Sequence, residues 1–231
     1  MSERSKPTLH LYEEIMLLAL CEEKGTISGS YVGYAVAAAV IAELMLQDRL
    51  RIADGRRKYV ELIDDSHSDD SLLNECIEKI KTSKRPKVLR TWVNELAHLK
   101  DIQHKVARNL ADHGVVSADE EKVLWLFTRR VYPEVNPQPE QELRQRMRAA
   151  VLEEQDSSTI DARTLIIIAL CQGARLLTQV FSARELRQHR DRIKQLVKGN
   201  VLGEAAREAV QAVEAAIMVA VMIPAITVAT T

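Results

Sequence analysis

Two stretches of this chain are apolar on nearly every face a helix would have. "YAVAAAVIAELMLQ", from Tyr34 to Gln47, carries a single charge at Glu43, and "STIDARTLIIIALCQGARLLTQVF", from Ser158 to Phe181, is apolar along most of its length. A helix without a polar side has to be enclosed by others, so both belong at the centre of a layered helical fold. Hydrophobic residues make up 46% of the 231 positions, with only eight Gly and six Pro to supply turns. That balance favours long helices, and one domain of this size can bury such a centre.

Around the two stretches the pattern alternates between helices and short hairpins. "TLHLYEEIMLLALCEEKG" sets Leu11, Ile15, Leu18 and, one turn on, Cys21 along one stripe, and Gly25 is suited to end the helix. "RLRIADGRRKYVELID" alternates with period two on both sides of Asp54-Gly55, a hairpin signal. Helix, helix, hairpin then partly recurs. "DIQHKVARNLADHGVV" is an amphipathic helix ending near Gly114, and "EEKVLWLFTRRVYPEVN" follows where a second hairpin would lie. Local rules leave a helix open there too, because Ser117 and Glu120 have capping-box spacing and a helix from Ala118 through Arg129 would turn Leu124 and Phe127 inward. Between the units, "SLLNECIEKIKTSKRP" reads as a helix stopped before Pro86, and "KVLRTWVNELAHL" as one with Val88, Trp92 and Leu96 on a common side. Ser182 and Glu185 form a capping box opening "ARELRQHRDRIKQLVKG", and a last helix runs from about Gly203 to Ile223. The apolar "AAIMVAVMIPAITVA" is too short for a membrane span and breaks at Pro224, so it reads as core. The expected fold is mainly α: a single compact helical domain over 9–231 with a central apolar helix bundle and two or more small β-hairpins, after a flexible N-terminus at 1–8.

Net charge is −1, so attraction to a polyanion has to come from a local patch. One exists: Lys79 to Arg108 holds nine Lys or Arg against Glu95 and Asp101, whereas Tyr59 to Glu78 holds seven carboxylates and no Lys or Arg. The basic side suits phosphates, and the acidic side, with Asp64, Asp65, Asp69 and Asp70, suits basic protein tails; a solvated helix face is the plain alternative. Three widely spaced cysteines, Cys21, Cys76 and Cys171, show neither a disulfide framework nor a CxxC site, which fits a reducing cytoplasmic compartment. The pairs Glu95/His98 and Asp101/His104 have metal-ligand spacing but lie in one stretch without a facing helix, and no nucleophile-elbow, HExxH or glycine-rich phosphate motif occurs. No enzyme activity and no cofactor are expected. A winged-helix DNA-binding reading has a pattern in its favour, yet the would-be recognition helix from Tyr34 to Gln47 offers no Lys, Arg or Asn; the second unit, with Lys100, Lys105, Arg108 and Asn109, is better supplied, so DNA binding stays as an alternative and nucleic acid is the less favoured partner.

"LYEEIMLLAL", "AELMLQDRLRIADGRRKYVELID", "LLNECIEKIK", "TWVNELAH" and "ARNLADHGVVSADEEKVLWLF", in this order and spacing, resemble the Golgi phosphoprotein 3 family over about Thr8 to Ile223. The resemblance implies a peripheral membrane protein that recognises phosphatidylinositol 4-phosphate and, in eukaryotes, retains glycosyltransferases by their cytosolic tails. It places the chain in the cytoplasm on a membrane surface, the cytosolic face of the Golgi in a eukaryotic cell. Position by position, the family's lipid-site Trp and first Arg fall on Ser28 and Ala37 and are missing, a departure that suits a divergent member, prokaryotic ones included. Its paired Arg fall on Lys100 and Gln103, with Lys105 close by. "SADEEKVLWLFT" falls in the family's second hairpin, where Leu124, Trp125, Leu126 and Phe127 would dip into the interface or self-associate and Arg129 and Arg130 would meet phosphates. Core packing of a buried strand is the other reading of that run. Expected partners are an anionic phospholipid membrane, membrane-protein cytosolic tails and a second copy of the chain through this hairpin.

Overall fold

The computed structural model describes residues 8–21, 24–54, 56–123, 127–153 and 159–197. The expected last helix from Gly203 to Ile223, the break at Pro224 and the N-terminal residues before Thr8 lie outside them. The described elements run α1 (Leu11–Ala19), α2 (Val32–Leu46), β1 (Leu50–Ile52), β2 (Val60–Leu62), α3 (Ser71–Lys81), α4 (Leu89–Ala97) and α5 (Ile102–Asp112). They continue with β3 (Asp119–Val123), β4 (Phe127–Val131), α6 (Gln138–Leu152), α7 (Ala162–Ala174), α8 (Ala183–Gln188) and α9 (Arg190–Val197).

The fold is mainly helical with two small antiparallel hairpins, and its centre is where the apolar runs required it. α1, α2 and α7 pack on one another; α4 and α5 cover α2 and α1, while α6 and α9 close over α7. Val36 to Val40 and Leu165 to Cys171 are buried without a break, as a helix with no polar side demands. α1 ends at Ala19, earlier than the Gly25 stop expected from sequence. Leu20 turns extended and bridges Ile27, so Cys21 lies exposed off the helix. Gly25 has another use: at φ +58°, it lies so close to the chain leaving β4 that a Cβ would sit 2.3 Å from Pro133 N. The Tyr132 N–H donates to the Gly25 carbonyl at 2.6 Å, which pins the α1–α2 connection to the base of the second hairpin.

The first hairpin forms around the expected turn but in a different register. Leu50 pairs with Leu62, Arg51 with Glu61 and Ile52 with Val60, so the loop is wider than the Asp54-Gly55 dipeptide. A two-residue turn at that dipeptide would set Ile52 opposite Arg57 and Arg51 opposite Lys58. The observed register pairs apolar with apolar instead and gives Arg51 a carboxylate at 2.8 Å. In the second hairpin, Glu120 faces Arg130 and Glu121 faces Arg129, closing around 124–126. These opposed charges suit a strand pair, and the helix from Ala118 to Arg129 that local capping allowed does not form. Ser117 spends its hydroxyl on the Asp119 carboxylate at 2.8 Å.

α6 was absent from the sequence reading, yet it ties α1 to α8. Leu143, Met147, Ala150 and Val151 are buried. From the same helix, Arg146 Nη2 donates to Glu14 Oε1 at 2.9 Å and Arg148 Nη2 to Glu185 Oε1 at 2.6 Å.

Candidate functional site

Asp70, in the acidic stretch, is structural. It caps α3 by accepting from the Leu73 N–H at 2.8 Å and also accepts from Tyr12 Oη at 2.7 Å and Asn109 Nδ2 at 3.0 Å. Asp64 and Asp65 lie beside Arg49 and Lys81, and Glu75 beside Lys105, so the segregated acidic and basic stretches partly neutralise each other.

Of the residues carried over to the lipid site, Gln103 meets the start of α2, and Lys100 lies three positions before Gln103 in the chain. Tyr31 is its N-cap and no side chain caps it, so the first amides are left for other acceptors. Gln103, on α5, lies against this end: a Cβ on Gly33 would stand 3.1 Å from Gln103 Nε2. Lys100 is exposed in the α4–α5 turn, and Ser28 is exposed in the loop before α2. Ala37 is fully buried, so that position faces the core. Two residues that sequence reasoning passed over stand at the same end. Arg175, exposed in the left-handed C-cap of α7 at φ 61°, holds its guanidinium 5.8 Å from the Tyr31 ring centroid. An aromatic ring and an arginine are thus present here, from other positions than Ser28 and Ala37. The only sequence signal was an Arg immediately after an apolar helix.

Lys105 points away from Gln103 toward α3, where Nζ pairs with Glu75 Oε2 at 2.5 Å. Arg129 pairs across the hairpin with Glu121 at 2.5 Å, and Arg130 Nη1 lies 3.7 Å from Asp101 Oδ2 at the head of α5. Arg130 therefore belongs beside Lys100, while Arg129 faces its own strand partner. Behind Arg130, His104 Nδ1 and Tyr132 Oη are hydrogen-bonded at 3.0 Å. Burial and the Arg130 guanidinium, with Arg108 adding to them, hold the His104 pKa below its usual range, and burial raises that of Tyr132. Leu124, Trp125 and Leu126 lie outside the described residues, as does the Phe127 side chain.

Neither carboxylate/histidine pair is turned to a shared ligand: Glu95 pairs with Lys87 at 2.8 Å and His98 Nδ1 meets the Asn94 carbonyl at 2.6 Å, while Asp101 and His104 reach Arg130 and Tyr132. Among the described residues no group of three or more His, Cys, Asp or Glu is placed to hold a metal ion, and no helix is long and apolar enough to cross a membrane. Cys76 and Cys171 are buried thiols, and burial pushes Cys76 up to about 12, which makes it a poor nucleophile.

A central apolar helix triad, two charged hairpins and a cationic helix end define a mainly helical domain of one layered core. Comparison with known proteins gives it a family. A model of Golgi phosphoprotein 3 (GPP34) matches residues 11–213, and the chain belongs to that family. The vacuolar protein sorting-associated protein 74 of Eremothecium gossypii is similar, 25% identical over a 219-position alignment that covers 81% of this chain and 65% of the relative. The chain thus spans just under two thirds of that relative's length.

Proposed function

We propose that this chain is a non-enzymatic peripheral membrane adaptor that docks on anionic phospholipid, with phosphatidylinositol 4-phosphate the headgroup its family implies. The observation that supports this best is the cationic end of α2. Lys100 and Arg175 are exposed there and, among the described residues, neither has a carboxylate partner. Gln103 adds an amide donor, Arg130 a second guanidinium nearby, and Arg129 a cation at the hairpin. Lys105 is a reserve cation, available only if it leaves Glu75. In this reading the run from Leu124 to Phe127 enters the interface or joins a second copy, with Trp125 at headgroup level. Tail binding and residence on the cytosolic face of the Golgi in a eukaryotic cell belong to the same proposal. Residues 9–231 act as one domain in it. The winged-helix alternative finds no support: α2, the would-be recognition helix of the first unit, is buried along its length, and in the second unit Lys105 is taken by Glu75 and Asn109 by Asp70.

Flotation with neutral phosphatidylcholine vesicles, and with vesicles carrying phosphatidylserine or phosphatidylinositol 4-phosphate at matched charge, tests the proposal. Binding is expected on anionic vesicles only and falls with salt. The double variant Lys100→Gln, Arg175→Gln should weaken it by about 2 kcal/mol, or roughly thirtyfold. Equal flotation on neutral and anionic vesicles at low salt would overturn it.

A further inference from the structure

A cavity of about 370 Å³ opens on another part of the molecule, between β2, the end of α3 and the start of α4. Its volume falls in the range of small-ligand sites. Val60, Leu62, Ile80 and Trp92 give it an apolar floor, and Lys81, Arg85 and Lys87 stand around it. Lys87 Nζ lies 4.4 Å from the Trp92 ring centroid and pairs with Glu95, while Lys81 pairs with Asp65. Arg85 is exposed and has no carboxylate partner among the described residues. Glu61, the one acid among the lining residues, is paired with Arg51 at 2.8 Å. Arg57 Nη1 donates to Oη of Tyr59, a lining residue, at 3.2 Å.

One polar atom here is unaccounted for. Trp92 is 2% exposed, and its buried indole N–H has no acceptor. That nitrogen is closed off from solvent, but the Trp92 side chain lines the cation-rimmed cavity, so its indole reports on whatever occupies it. We propose that this cavity binds a small amphiphilic carboxylate, its apolar body on the Val60–Trp92 floor and its head at Arg85. A simple inorganic anion leaves the apolar floor uncovered, a neutral amphiphile leaves the cations unmatched, and an amine is repelled by them. The site is separate from the membrane face, since neither Lys100 nor Arg175 lines it.

The chain has two tryptophans, so the full ¹⁵N-labelled protein shows two indole signals, which a Trp125→Phe variant assigns. Dodecanoate, added below its micelle threshold, is expected to move the Trp92 indole signal saturably. Dodecanol and dodecylamine should leave it in place. Arg85→Glu, a surface change, should weaken dodecanoate binding about tenfold, the scale of one charge-assisted contact, whereas Lys100→Glu should not. No saturable shift with dodecanoate, an equal shift with dodecanol or dodecylamine, or an unaltered affinity in Arg85→Glu would each overturn the proposal.

Discussion

Gly25 shows how much can rest on one missing methyl. Both its positive φ and the backbone of Tyr132 and Pro133 at 2.3 Å exclude a side chain. Gly25→Ala should lower stability by at least ~2 kcal/mol in urea denaturation, and an unchanged midpoint would refute the close approach. Sequence alone assigned this glycine to a helix end, the commonest use of a Gly after an amphipathic stretch. Its actual neighbour lies more than a hundred residues away in sequence and leaves no local trace. Glu13 and Glu14 were opaque for the same reason. Both are buried, one beside His113 Nδ1 at 3.3 Å and the other under Arg146, partners that no helical periodicity announces. On the candidate site, Lys100 and Gln103 were reached through family resemblance, while Tyr31 and Arg175 come together only once α2 and α7 are packed.

Among the elements, those whose hydrophobic pattern carries enough contrast were legible. α2, α3, α4 and α5 lie close to their expected spans, α7 takes only the middle of its apolar stretch, and the Ser182–Glu185 capping box opens α8, although the helix expected from it breaks at His189 into α8 and α9. α6 was missed because "QPEQELRQRMRAAVL" is mostly charged and amide residues, its few apolar positions diluted by arginines that bind at a distance. The second hairpin was ambiguous locally, and cross-strand charge resolves it: a helix would not oppose Glu121 to Arg129. Glu121→Arg and Arg129→Glu should each weaken the hairpin by about 0.2–1 kcal/mol, and combining them should restore most of it. Equilibrium unfolding in a double-mutant cycle measures this, and strictly additive losses would show that the pair does not set the register.

At the scale of the whole molecule, Glu43 is one of the buried groups through which stability is tied to pH. Glu43, on the central helix, accepts from the Leu11 N–H at 2.8 Å and Arg163 Nη1 at 3.2 Å, with His10 Nδ1 at 3.4 Å. Burial alone would raise its pKa, but these donors outweigh burial and hold it at about 2. A depressed carboxyl stabilises the fold fully above its ordinary value near 4.5 and loses that contribution as pH falls from there to about 2. His10, raised by Glu43 against its own burial, acts oppositely: its contribution is present below 6.5 and fades as pH rises through its folded value. Glu43→Gln should therefore cost on the order of 3 kcal/mol near neutral pH and flatten the acid limb of the stability profile, measured by urea denaturation between about pH 3 and 8. An unchanged acid limb would place the acid sensitivity elsewhere. The Gly25 seam has a consequence at this scale too. It joins the base of the second hairpin to the loop that leads through Ser28 into α2, so the two proposed membrane contacts share one frame with no linker between them. Such a frame behaves as a bivalent ligand. Once one contact has landed, the other meets the bilayer at a raised effective concentration, so two individually weak contacts hold together, and removing either one loses more than its own affinity.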